Sequence, residues 1–257
     1  MRTVSAKSLC LYSEPLTEVQ LAAHPMIAKR PPVLAHERFV VDRDNFAGLD
    51  LAARFERIER TNLWGAPTSV SGLGSENPAT AAIRDALPAL LQRLGVRSLL
   101  DAPCGDAGWI GSMTLDIDYT GIDIVPSLIA ANGERAARGE LSGRFRVADV
   151  TRDALPQADM ILCRDCLVHL SFDNIARAVA NFRASGARFL LVTTFPEWDG
   201  NRDCEDGDWR ALNMEKAPFD WPAPRVLINE RCEEGGGGWQ DKSLGLWRLD
   251  ELPEPQF

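Results

Sequence analysis

Four short segments of this chain bring acidic side chains, glycine and a histidine together in a pattern that suits a nucleotide-like ligand and a proton transfer. The first reads Asp101-Ala102-Pro103-Cys104-Gly105-Asp106-Ala107-Gly108-Trp109. Glycine in such a turn lets backbone come close to a ligand, and a helix opening there presents an electropositive end. Asp123 stands in Gly121-Ile122-Asp123-Ile124, 22 residues after Asp101. An acidic side chain at that distance is placed to accept hydrogen bonds from ribose hydroxyls. In Ala148-Asp149-Val150 a third carboxylate can meet an adenine amino group. One Gly-rich turn is weak evidence, and a strand-end Asp is often only a helix cap. Three such features, one after each of three consecutive apolar runs, are much harder to reach by accident. The fourth segment is Cys163-Arg164-Asp165-Cys166-Leu167-Val168-His169-Leu170. Histidine titrates near neutrality, so His169 suits proton removal from a hydroxyl or ammonium nucleophile. A histidine satisfied in the core, or capping the following helix, is the competing reading. Asp165 is the second candidate base, against a plain ion pair with Arg164.

These segments need elements to hold them. Apolar runs at Val96 to Ala102, Tyr119 to Ile124, Arg144 to Ala148, Met160 to Cys163 and Phe189 to Thr194 read as strands. Helical stretches separate several of them, one from about Phe172 to Ala184 with Ser171 at its N-cap. Strands alternating with helices imply parallel crossovers and a sheet covered on both faces. Arg225 to Glu230 and Ser243 to Leu249 flank Gly235 to Gly238 and read as an antiparallel hairpin. The expected fold is α/β, with a seven-stranded, mostly parallel sheet, an antiparallel last strand and an N-terminal helical extension. Open sheets of this kind bind ligands at the carboxyl ends of their strands, where all four segments fall. Upstream, Asp50 caps an amphipathic helix carrying Leu51, Phe55 and Ile58, and Asn62 to Pro78 reads as a loop. A further helix carries Ile83, Leu87, Leu90, Leu91 and Leu94, with a kink or break expected at Pro88. The division is residues 1–78 as extension and lid, and residues 79–257 as the main domain.

Over roughly residues 96 to 250 this series resembles the class I S-adenosylmethionine-dependent methyltransferase family. The resemblance implies a Rossmann-like fold and S-adenosyl-L-methionine as cofactor. It implies that the turn from Asp101, with Pro103, Cys104, Gly105, Asp106 and Trp109, holds the methionine part. It gives Asp123 and Ile124 the ribose, Asp149 and Val150 the adenine, and Arg164 a place beside them. Pro103 and Ala107 replace two glycines of the family's acidic-x-Gly-x-Gly-x-Gly turn while Gly105 is kept, so Asp106 is expected to make a contact normally made by backbone. Trp64 is expected over the pocket as a lid with glycine hinges, or else packed on the domain as part of a linker.

The segment from about 195 to 224 lacks periodicity but carries Trp198, Trp209, Phe219 and Trp221, and its acidic side chains outnumber Arg202 between Glu197 and Asp208. It reads as an acceptor-binding wall, with Thr194, Trp198, Asp208, Trp209 and Arg210 as contacts. A wall of this type suits a cationic acceptor through charge pairing and cation–π contact, or sugar hydroxyls. A solvated acidic loop with aromatics packed beneath it is the plainer alternative. The 257-residue chain has 37 acidic against 28 basic residues and a net charge of -9, which argues against a long phosphate-tracking surface. No apolar run is long enough to cross a membrane and no signal peptide is read. Six cysteines without a second CxxC read as reduced cytoplasmic thiols, and no metal site is expected. The expected reaction is methyl transfer to an oxygen or nitrogen of a small polar metabolite or glycan. A cationic amine or guanidino acceptor, or a non-catalytic cofactor-binding partner subunit, are the alternatives; an oligomer is compatible with either.

Overall fold

A computed structural model describes residues 30–253. Seven strands form one sheet: β1 (Ser98–Asp101), β2 (Asp118–Asp123), β3 (Arg144–Val147), β4 (Met160–Cys163), β5 (Phe189–Thr194), β6 (Val226–Asn229) and β7 (Ser243–Arg248). Their spatial order is β3-β2-β1-β4-β5-β7-β6. Strands β1 to β5 pair in parallel, while β7 runs antiparallel to both β5 and β6. This is the expected sheet, and its centre shows why the apolar runs were continuous. In β4, Met160 and Leu162 join one core while Ile161 and Cys163 join the other. A central strand buried on both faces has no polar side to show.

The helices are α1 (Leu34–Asp42), α2 (Leu51–Thr61), α3 (Ala81–Leu94), α4 (Pro126–Ala137) and α5 (Phe172–Ala184). Helix α3 buries Ile83, Leu87, Leu90 and Leu91 in one core, and α5 buries Ile175, Ala178, Val179 and Phe182 in the other. Of the kink or break expected at Pro88, the break is absent: α3 runs unbroken through it. Pro88 is exposed, so its ring faces solvent, and water can take the Arg84 carbonyl that the missing N–H leaves unpaired.

Residues 1–29 of the expected extension lie outside the described residues. Its later part is helical, as read, and α2 starts where Asp50 accepts a hydrogen bond from the Ala53 N–H at 2.9 Å. Phe39, Phe46, Ile58 and Leu63 give it a small core of its own. The Gly-rich stretch forms a turn between β6 and β7, where Gly235 and Gly236 take left-handed φ of 61° and 66°.

Candidate active site

The carboxyl ends of β1, β2 and β4 face one cavity of about 920 Å³, its open mouth included. Asp101 closes β1, fully buried, and accepts a hydrogen bond from the Tyr119 hydroxyl at 2.7 Å. Burial pushes its pKa up to about 7. Gly105 has φ +53°, and a Cβ there would run into Ser71 of the extension. Its N–H donates to Asp123 Oδ2 at 3.0 Å, and the Val125 N–H donates to Oδ1 at 2.9 Å. Burial still raises Asp123 to about 6, against those two bonds. Asp149 accepts from the Thr151 N–H and hydroxyl at 2.8 and 2.6 Å.

Asp101, Pro103, Cys104, Gly105, Trp109, Asp123, Ile124, Asp149, Val150, Arg164 and Trp64 all line this cavity, as does Asp165. The exception among the expected cofactor residues is Asp106. Its carboxylate turns away, accepting hydrogen bonds from the Ser69 hydroxyl at 2.6 Å and the Gly108 N–H at 3.0 Å. With its own N–H donating to Ser71 Oγ, it fastens the extension to the turn.

A second cavity of about 540 Å³ adjoins the first, and Trp64, Ser71 and Asp165 border both. His169 lines this second cavity. Its Nδ1 lies 2.7 Å from the Asp208 carbonyl, which only accepts, so the proton sits on Nδ1 and the lone pair on Nε2. Burial drives its pKa down to about 4, with the Asp208 bond opposing. The ring is therefore neutral at pH 7 and stacks on Trp64 with centroids 4.5 Å apart. As a base it is weak, and as a hydrogen-bond acceptor it is available.

Asp165, the second candidate base, is held as a paired, ionised carboxylate. Burial works against its charge, but Lys242 Nζ at 2.6 Å and Arg164 at 3.4 Å hold its carboxyl well below the usual range. Its principal partner is thus Lys242 rather than the neighbouring Arg164. Arg164 pairs with Glu230 at 2.7 Å and donates to the Gly74 carbonyl, and Lys242 also reaches Glu230 at 3.3 Å. Lys242 and Glu230 come from the segment joining β6 to β7. Periodicity is silent about such residues; the signal available was a Lys and a Glu flanking a Gly-rich turn in an apolar hairpin.

The insert is only partly the expected wall. Trp209 lines the second cavity. Trp198 packs on Trp239 at 5.7 Å and lines neither cavity, and the buried Thr194 hydroxyl accepts from the Met214 N–H. Arg210 donates to the Leu167 and Leu170 carbonyls and holds the β4 loop in shape. Asp208 pairs with His36 Nδ1 at 2.8 Å. Asp203 and Asp206 accept the Phe172 and Ser171 N–H groups, each at 2.7 Å. Free N–H groups at a helix start attract carboxylates, so two of the insert's carboxylates cap α5.

Among the described residues no group of acidic, His and Cys side chains is arranged to hold a metal, and no helix is long and apolar enough to cross a membrane.

Residues 99–185, about a third of the chain, match the model of a methyltransferase domain. No curated protein matches the chain. Among solved structures, the N-methyltransferase NodS from Bradyrhizobium japonicum, in complex with S-adenosyl-L-homocysteine, is 18% identical over 55% of this chain and 73% of its own, with TM-score 0.43. A structure concerned with converting a disulfide bond into a thioacetal group in echinomycin biosynthesis is 20% identical over 57% of this chain and 61% of its own, with TM-score 0.43. A bacterial CtHen1 methyltransferase domain is 13% identical over 45% of this chain and 66% of its own, with TM-score 0.40. The chain spans less than two thirds of the last two.

Proposed function

We propose, for a chain whose residues 99–185 match the model of a methyltransferase domain, that it is an S-adenosylmethionine-dependent methyltransferase that transfers a methyl group to an oxygen or nitrogen of a small polar acceptor. The first cavity would hold the cofactor and the second the acceptor. One observation carries this reading: the two cavities meet at Trp64, Ser71 and Asp165, with His169 just beyond.

The residues of the first cavity fit the cofactor. Asp123 is a buried carboxylate bonded only through backbone N–H groups, with acceptor capacity left for a diol. Asp149 stands at the third strand end for an adenine amino group. The glycine turn allows close backbone approach at Gly105. S-adenosylmethionine, when bound, supplies an activated methyl group on a positively charged sulfur.

The chain's own part is mainly positioning and exclusion of water. Asp165 keeps a fixed negative charge where the cavities join. Neutral His169 offers its Nε2 lone pair to an acceptor hydroxyl or amine. Leu51, Phe55 and Trp64 of the extension wall the first cavity.

Calorimetry with S-adenosylmethionine and S-adenosylhomocysteine tests the cofactor half of this reading. Methyl-transfer assays with hydroxylated and cationic small molecules then test the acceptor half. Absence of cofactor binding by the native chain would sink the proposal.

A further inference from the structure

We propose that the second cavity takes its acceptor as a small organic ammonium ion, with Glu234 as the counter-charge and Trp64 and Trp209 as aromatic walls. The inference rests on the reading of this cavity as the acceptor site.

The argument begins with charge. Arg164 and Lys242 face three carboxylates, Asp165, Glu230 and Glu234. Both cations are already engaged: Arg164 pairs with Glu230, and Lys242 pairs with Asp165 and Glu230. Glu234 lines the second cavity and is half-buried, yet its carboxylate has no hydrogen-bond or ion-pair partner among the described residues. Burial pushes its pKa above the ordinary glutamate range, against the attraction of Lys242 and Arg164, which Glu234 shares with the other two carboxylates. Three carboxylates thus share two cations, and a bound cation beside Glu234 would offset the excess negative charge. His169 is neutral and supplies no such cation.

Gly74 shows how tightly the group is gathered. A Cβ built there would lie 2.8 Å from Asp165 Oδ2, 2.9 Å from Lys242 Nζ and 3.5 Å from Glu234 Oε1. The backbone thus comes right up to the charged cluster, and Glu234 sits beside the point where the two cavities meet. Aromatic faces complete the case, because indole attracts cations. This molecule already uses that attraction nearby: the Arg30 guanidinium lies 5.0 Å from the Trp239 ring centroid and 5.5 Å from that of Trp198.

The chemistry balances without another reactant. The ammonium gives one proton to Glu234, which frees the nitrogen lone pair. The nitrogen–carbon bond forms as the carbon–sulfur bond breaks, and sulfur keeps that electron pair. Glu234 then releases its proton to solvent and pairs with the methylated ammonium.

The test is calorimetric titration with benzylammonium and, separately, benzyl alcohol, each with and without saturating S-adenosylhomocysteine. Benzylammonium is expected to bind at least about tenfold more tightly than the alcohol. Glu234→Gln should erase that preference while S-adenosylhomocysteine affinity stays unchanged. Equal binding of the two probes by the native chain overturns the inference, and that comparison needs no variant to fold. So does a preference that survives Glu234→Gln in a protein with native melting behaviour. The cofactor titration stands apart: an ammonium preference without cofactor binding leaves an ammonium-binding cavity with Glu234 as counter-charge, but overturns its role as a methyl-acceptor site together with the wider methyl-transfer reading.

Discussion

The two cavities share a border but are built by opposite means. The first is set by short-range rules: its carboxylates close successive strands, and their hydrogen bonds come largely from nearby backbone or an adjoining strand, as when Gly105 and Val125 donate to Asp123. The second is assembled from segments far apart in the chain, around 33–35, 64–74, 165–169, 209 and 232–242. Its charges are satisfied across that distance, as when Lys242 pairs with Asp165. A site built locally should lose ligand affinity when damaged. A site built from distant charges should lose stability.

Lys242→Met is the sharpest way to break that contrast. It leaves Asp165 and Glu230 buried with one cation fewer, and removal of one partner from a buried pair typically costs about 3–5 kcal/mol. Urea unfolding should show a loss of that order; a loss below about 1 kcal/mol would mean that the buried ring of charge stabilises little. Asp123→Ala is the counterpart on the other side. S-adenosylhomocysteine affinity should fall about tenfold or more, read by calorimetry. The ammonium-over-alcohol preference of the second cavity should persist.

The third prediction concerns pH. Asp101 has a folded-state pKa of about 7 against an ordinary value of 3.8, and Asp123 is raised to about 6. Raised carboxyls bind protons more tightly in the folded state, so their contribution to stability is full below about pH 4. It is lost as pH rises through 6 and 7. Asp165 and His169 shift the other way, so the useful quantity is the difference between wild type and Asp101→Asn. Relative to wild type, the variant should gain stability between pH 4 and 7, by at most about 1.4 kcal/mol per pH unit for one proton. A flat difference would mean that Asp101 stays ionised. The smallest effect belongs to the insert: Asp206→Ala removes an acceptor at the start of α5 and should cost about 1 kcal/mol. Cofactor affinity should not change.

The same division decides what could be read from sequence. Strands β4 and β5 and helix α5 were legible to the residue, because apolar runs and the Ser171 cap are local signals. The carboxylates that line the first cavity were legible as a group because each stands at or just after a strand end. The place of Asp106 outside the cavity lining was not legible, because no periodicity reports that Ser69, 37 positions upstream, donates to its carboxylate. The acidity of the insert pointed to a cationic ligand, but composition does not tell a helix cap from a ligand contact: Asp203 and Asp206 hold α5. Glu234 went unnoticed because its neighbours Lys242 and Gly74 meet it only through the fold.

The stack of Trp64 on His169 has an optical consequence. A protonated imidazole quenches a neighbouring indole far more than a neutral one, and this imidazole is neutral above about pH 4. Trp64 emission should therefore hold steady from pH 5 to 8, and a Trp64→Phe difference spectrum isolates it from the other six tryptophans of the seven. Because that ring borders both cavities, one fluorophore that needs no label can follow the filling of each in turn.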